Sequence, residues 1–133
     1  GMALALARPL CAMSTHEAIA LGEGDSDSSH PLETVLVYDD AGRGELYLSQ
    51  FEGHRQTVAP RLATVAEQQA MAASVALAIS VTSFVQHASV AVGCARRARE
   101  IAAQGALERY ADVMPIYVRL AEAEVQLQRK LNG

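Results

Sequence analysis

The chain has no tryptophan, only two phenylalanines and two cysteines, and little positive charge in its first half. Each scarcity removes a class of function. Without tryptophan and with so few phenylalanines, a base-stacking platform for single-stranded nucleic acid would rest on Tyr38, Tyr47, Tyr110 and Tyr117. These tyrosines are more economically placed at the amphipathic edges of a core or interface. Basic residues are equally unhelpful to a nucleic-acid surface. The only compact group is "ARRARE", with Arg96, Arg97 and Arg99 followed at once by Glu100, and such a run reads as a solvated helix face. Cys11 and Cys94 have no C-x-x-C partner and no metal-ligand spacing, so the sequence predicts a reducing compartment and neither a metal nor a cofactor.

Long charge-free stretches are present, but not of a membrane-spanning kind. Residues 68–95 carry no Asp, Glu, Lys or Arg, yet Gln68, Gln69, Ser74, Ser80, Thr82, Ser83, Gln86, His87 and Ser89 recur too often for a lipid-facing helix. "MALALARPLCAMS" lacks a basic stretch before its apolar run and is broken by Arg8 and Pro9, which speaks against a secretory leader and for a cytoplasmic protein. Gly1 before Met2 has the look of a cloning remnant.

At 133 residues with half of them hydrophobic, the chain can bury roughly two-thirds of its extended surface and fold as one domain over residues 1–133. Its charges are uneven. Residues 1–60 hold three arginines against nine carboxylates, and residues 61–133 hold eight basic groups against six acidic ones, so the two parts attract weakly.

Local patterns predict an α+β fold, mostly helical. "STHEAIAL" offers a helix start with Ser14 as cap and Glu17 as its reciprocal partner. "GEGDSDSSHP", residues 22–31, favours a flexible acidic loop. Its Asp25, Asp27 and Ser29 imitate a calcium loop, but His30 replaces the required glycine and Leu36 stands where a bidentate carboxylate is needed. In residues 34–50, Val35 and Val37 alternate with Leu36 and Tyr38, then Leu46 and Leu48 with Tyr47 and Ser49, which predicts a β-hairpin around a four- to six-residue turn. Such a hairpin needs helices on at least one face and can accept further strands at its edge.

Residues 61–131 read as helical. In "SVALAISVTSFVQHASVAVGC" the alternation of Val75, Leu77, Ile79 and Val81 suits a strand, but the intervening alanines favour helix. A long Ala-rich helix is therefore expected. Unbroken over 45 residues it would measure about 68 Å, against a radius of gyration near 14 Å for a compact chain of this size, so a break is placed near 86–93. The last segment carries an apolar stripe through Leu107, Met114, Val118 and Val125, and Pro115 predicts a kink.

No complete catalytic constellation emerges. His30 and His16 are expected to be exposed, and His87 to be a buried, hydrogen-bonded residue near Cys94. "AGRGELYL" has too few glycines and no Lys-Ser/Thr pair for a phosphate loop. The best chemical candidate is His54 in "QFEGHRQ", beside Glu52 and Arg55. The leading expectation is a non-enzymatic protein-interaction module, such as an adaptor, chaperone-like or regulatory subunit. It would act as a homodimer and meet itself or another protein, with no nucleic acid or membrane partner. Val75, Ile79, Phe84, Val85 and Val92 are assigned to the core or interface, with Tyr117 and Val118 facing them. The alternative is a small-ligand-binding or sensory domain whose apolar pocket is rimmed by His54, Arg55 and Tyr117. A small enzyme using His54 comes third.

Overall fold

The computed structural model describes residues 7–23, 33–53, 55–84, 89–107 and 130–131. Along these the chain forms α1 (Thr15–Glu23), β1 (Thr34–Gly42), β2 (Glu45–Glu52), β3 (Arg55–Thr64), α2 (Val65–Ala72), β4 (Leu77–Ser80), the single turn α3 (Val81–Phe84) and α4 (Ser89–Ala103). The fold is mixed α+β around one open four-stranded sheet of order β3-β2-β1-β4. Strands β1, β2 and β3 form an antiparallel meander, and β4 pairs parallel to β1, Val37 opposite Ile79.

The period-two reading of the hairpin holds. Val35, Val37 and Phe51 form one buried cluster with Ile19, Ala20, Ile79 and Val81. Leu36, Leu48 and Ala63 form another on the opposite face, with Tyr38, Val58, Met71, Ala72 and Val75 packed around it. Alternate residues of one strand therefore feed two separate cores, one under α1, α3 and α4 and the other under α2. The turn is tighter than expected. Gly42 still pairs with Glu45, and Arg43 and Gly44 make a two-residue connection with φ of 59° and 78°. Positive φ at both central positions belongs to the turn whose twist matches the flanking strands. Asp40 helps to set it, its Oδ1 accepting the Gly42 N–H at 2.7 Å.

Other expectations need correction. Residues 61–131 are not uniformly helical, because β3 runs to Thr64 and residues 77–80 are a strand. Alanine at 76 and 78 favours helix in isolation, but pairing with β1 satisfies the backbone and burying Ile79 between the sheet and its helices outweighs that local preference. Helix α1 continues through Gly22 and Glu23, so the acidic loop does not begin at residue 22. Residues 89–93, assigned to a break, are helical. The rest of the expected loop, residues 85–88 and the helix expected to kink at Pro115 lie outside the described residues.

The start of α2 carries a signal the sequence reading passed over. In "TVAE", Thr64 Oγ1 accepts the Glu67 N–H at 3.2 Å, and the Glu67 carboxylate accepts the Thr64 N–H at 2.8 Å. The reciprocal pair turns the chain from strand to helix with no intervening loop. These bonds, first the backbone N–H and then the hydroxyl, with Arg61 adding less, hold the Glu67 carboxyl below its ordinary range. Thr64→Ala is expected to lower the melting temperature by a few degrees, as loss of a helix cap does. An unchanged thermal scan would contradict the role given to this cap.

Candidate functional site

The middle of helix α1 is enclosed: Ala18, Ile19, Ala20 and Leu21 are all buried. The sheet covers one side and α4 the other, and α4 comes unusually close. A Cβ built on Gly93 would lie 1.9 Å from the Ala18 carbonyl oxygen and 2.9 Å from the Gly22 nitrogen. Gly93 is thus a helix-contact glycine whose missing side chain lets two backbones touch.

Two arginines fasten the same contact. Arg96 Nη1 donates to the Leu21 carbonyl at 2.7 Å, satisfying an acceptor in the last turn of α1. Arg97 Nε lies 2.9 Å from Glu17 Oε1, and its Nη1 lies 3.3 Å from Glu100 Oε2. The buried Arg97 Nε makes no well-directed hydrogen bond, so its link to Glu17 is chiefly an ion pair, of modest worth at partly exposed side chains. Glu17 also belongs to the expected cap, its N–H reaching Ser14 Oγ at 3.1 Å.

These contacts draw charge to the inner side of α4, beside Val90, Gly93, Ala98 and Ile101. Arg96, Arg97 and Glu100 are partly buried, while Ala91, Val92, Cys94, Ala95, Arg99, Ala102 and Ala103 are exposed, so one residue of the exposed set is charged. Val92 is 42% exposed, and Leu107, just beyond the helix, is 38% exposed. An ordinary surface helix places charge outward and apolar residues inward. The "ARRARE" run is therefore not simply a solvated face.

A second polar arrangement lies between α1 and the sheet. His16 Nδ1 is within hydrogen-bonding distance of Ser49 Oγ. Ser49 is fully buried and stands opposite Val37, on the α1 side of the sheet. Burial pushes the His16 pKa down from 6.5, and the negative charge of Asp39 opposes that shift. Asp39 Oδ1 also accepts the Asp40 N–H at 2.9 Å and makes a long 3.5 Å contact with Thr82 Oγ1. The expectation that His16 is exposed is overturned, because the first turn of α1 lays it on the sheet. This trio has the residue types of a nucleophilic site, but a nucleophile must reach substrate, and Ser49 has no exposed surface. Its chemistry is that of an internal polar tie.

The sequence-predicted site residues fall in different places. Ile79 is in the α1-side core and Val75 packs against the α2-side core. Val92 is outward on α4. The backbone of Phe84 ends α3, while Val85, Tyr117 and Val118 lie outside the described residues. Of the pocket trio, His54 and Tyr117 are also outside them, and Arg55 is exposed with Nη2 bonded to Glu52 Oε2 at 2.9 Å. That bond occupies the carboxylate considered as a charge partner for His54. Among the described residues no group of three or more His, Cys, Asp and Glu could hold a metal ion, and no disulfide joins Cys11 to Cys94. No described helix is long and apolar enough to cross a membrane.

Sequence comparison finds no matching protein-family model and no matching curated protein. Structure comparison does find relatives in fold. One is a crystal structure described as an uncharacterized protein with similarity to peptidase YEAZ from Pseudomonas aeruginosa, with a TM-score of 0.62, 17% identity and 90% of this chain covered. Another is YeaZ from Pseudomonas aeruginosa, with a TM-score of 0.60, 18% identity and 88% of this chain covered. The chain thus has a YeaZ-like fold. It spans 63% and 64% of those two proteins, just under two-thirds of each.

Proposed function

We propose that this chain is a non-enzymatic protein-interaction module, an adaptor or regulatory subunit, that works as a homodimer through the outward face of α4. The observation that carries this reading is the outward face of that helix, small and apolar but for Arg99. Its charged residues Arg96 and Arg97 are spent on α1, and Ala91, Val92 and Ala95 are left facing out. Small outward side chains permit close approach of a second helix, and an apolar patch on a small domain is relieved by covering it. A two-fold pairing of this face with itself meets that need with one surface. The buried Ser49 supports the non-enzymatic part, since the peptidase similarity stated for one structural neighbour finds no reachable serine in this His-Ser pair.

Val92→Glu tests the reading. Val92 is exposed, so the change is expected to leave the melting temperature nearly unaltered. It is also expected to convert the dimer to monomer in sedimentation velocity, because two like charges would meet across the axis. A variant that remains dimeric would remove α4 from the interface.

A further inference from the structure

His16 is the one titratable group placed between α1 and the sheet whose contact crosses to a fully buried partner, Ser49 on β2, among the described hydrogen bonds. A buried hydroxyl must donate its proton somewhere. A neutral imidazole whose ring proton sits on Nε2 offers a bare Nδ1 that can accept it. When the ring is protonated, Nδ1 carries hydrogen too, the Ser49 hydroxyl can no longer donate to it, and the bond must reverse inside the core.

We propose that the His16–Ser49 contact is an acid-sensitive latch, which holds the first turn of α1 on the sheet while the imidazole is neutral and loosens it on protonation. The surroundings decide how strongly the latch feels acid. From β1, Asp39 faces His16 and favours the charged ring; from β2 comes Ser49, which does not titrate in this range; α3 presents Thr82 toward Asp39, also without titration. On α1 itself, Glu17 is engaged by Arg97 of α4, which is further held by Glu100. Burial outweighs the pull of Asp39, so the neutral ring is favoured in the folded protein.

The direction of the pH effect follows. The folded protein holds the His16 proton less tightly than the unfolded chain, whose ordinary value is 6.5. The stabilisation is complete above 6.5 and is lost as the pH falls through that value toward the lower folded one. Glu67, the other described group with a lowered pKa, starts from 4.5 and acts in a more acidic range. The His16–Ser49 contact lies within one subunit and acts whether or not the protein dimerises.

The test is an NMR titration of the histidine rings in the full chain, paired with thermal melting at pH 7.5 and 5.5. The His16 midpoint is expected below 6.5, and the melting temperature is expected to fall by several degrees between the two pH values. His16→Asn should abolish most of that fall while the other histidines remain. A midpoint at or above 6.5, or an equal fall in His16→Asn, would overturn the latch. Should His16→Asn not fold, Ser49→Ala decides the bond direction through the titration: losing a donor to Nδ1 raises the His16 midpoint. A midpoint that stays put or drops would overturn the proposal.

Discussion

Gly93→Ala is expected to destabilise the protein by roughly 2–4 kcal/mol, although alanine is the better helix former. The new methyl would lie 1.9 Å from the Ala18 oxygen and 2.8 Å from the Ala18 carbonyl carbon. Both atoms are backbone of a helix enclosed by the sheet and α4, so neither can swing aside as a side-chain end would. Relief requires α4 to move outward, which lengthens the 2.7 Å bond from Arg96 to Leu21 and the 2.9 Å approach of Arg97 to Glu17. Urea unfolding measures the loss. A variant as stable as the parent would mean that α1 and α4 do not approach each other so closely, and the inward placement of Arg96 and Arg97 would fall with it.

The other large effect is expected at Ile79. This side chain is 6% exposed and lies among Ile19, Val35, Val37, Phe51 and Val81. Ile79→Asp places a carboxylate among hydrocarbon, where charge without a partner costs several kcal/mol even after the group adjusts its ionisation. With a total stability of about 5–15 kcal/mol for an ordinary domain, the variant is expected to be largely unfolded at neutral pH. Circular dichroism and solubility report this directly. A folded, cooperative Ile79→Asp protein, monomeric or dimeric, would contradict the position of β4 between the two helical layers. Because Ile79 is inside the subunit, this substitution tests the fold, and association must be probed at outward residues such as Val92.

The antiparallel hairpin was legible because its information is local. Val35 with Val37 and Leu36 with Tyr38 alternate with the strand period, and the faces to which they belong are set by that period alone. β4 was not, because four residues offer too little pattern to outweigh the alanines around them. Leu77–Ser80 becomes a strand through its partner β1, some forty residues earlier in the chain, and such long-range pairing leaves a weak mark in sequence. The start of α2 was readable in principle: Thr64 followed by Glu67 has the spacing of a capping box, masked by the expectation of one continuous helix.

The interaction surface and the latch were less legible for a different reason. Arg96, Arg97 and Arg99 are chemically alike in sequence, and only the placement of α1 decides that the first two turn toward it while Arg99 stays exposed. Gly93 lies in the stretch 86–93 where a break is expected from sequence, yet here close contact with Ala18 and Gly22 explains it. His16 beside Glu17 looked like a wet helix start. Its burial depends on Ser49, 33 residues away, which no local rule connects to it.

Native mass spectrometry of the full chain over a range of concentrations decides whether this protein associates with itself. A species of twice 14.1 kDa that dissociates on dilution, with no added mass, is expected. A species of 14.1 kDa at every concentration, or one carrying a few hundred daltons of retained small molecule per subunit, would contradict the proposed interaction module.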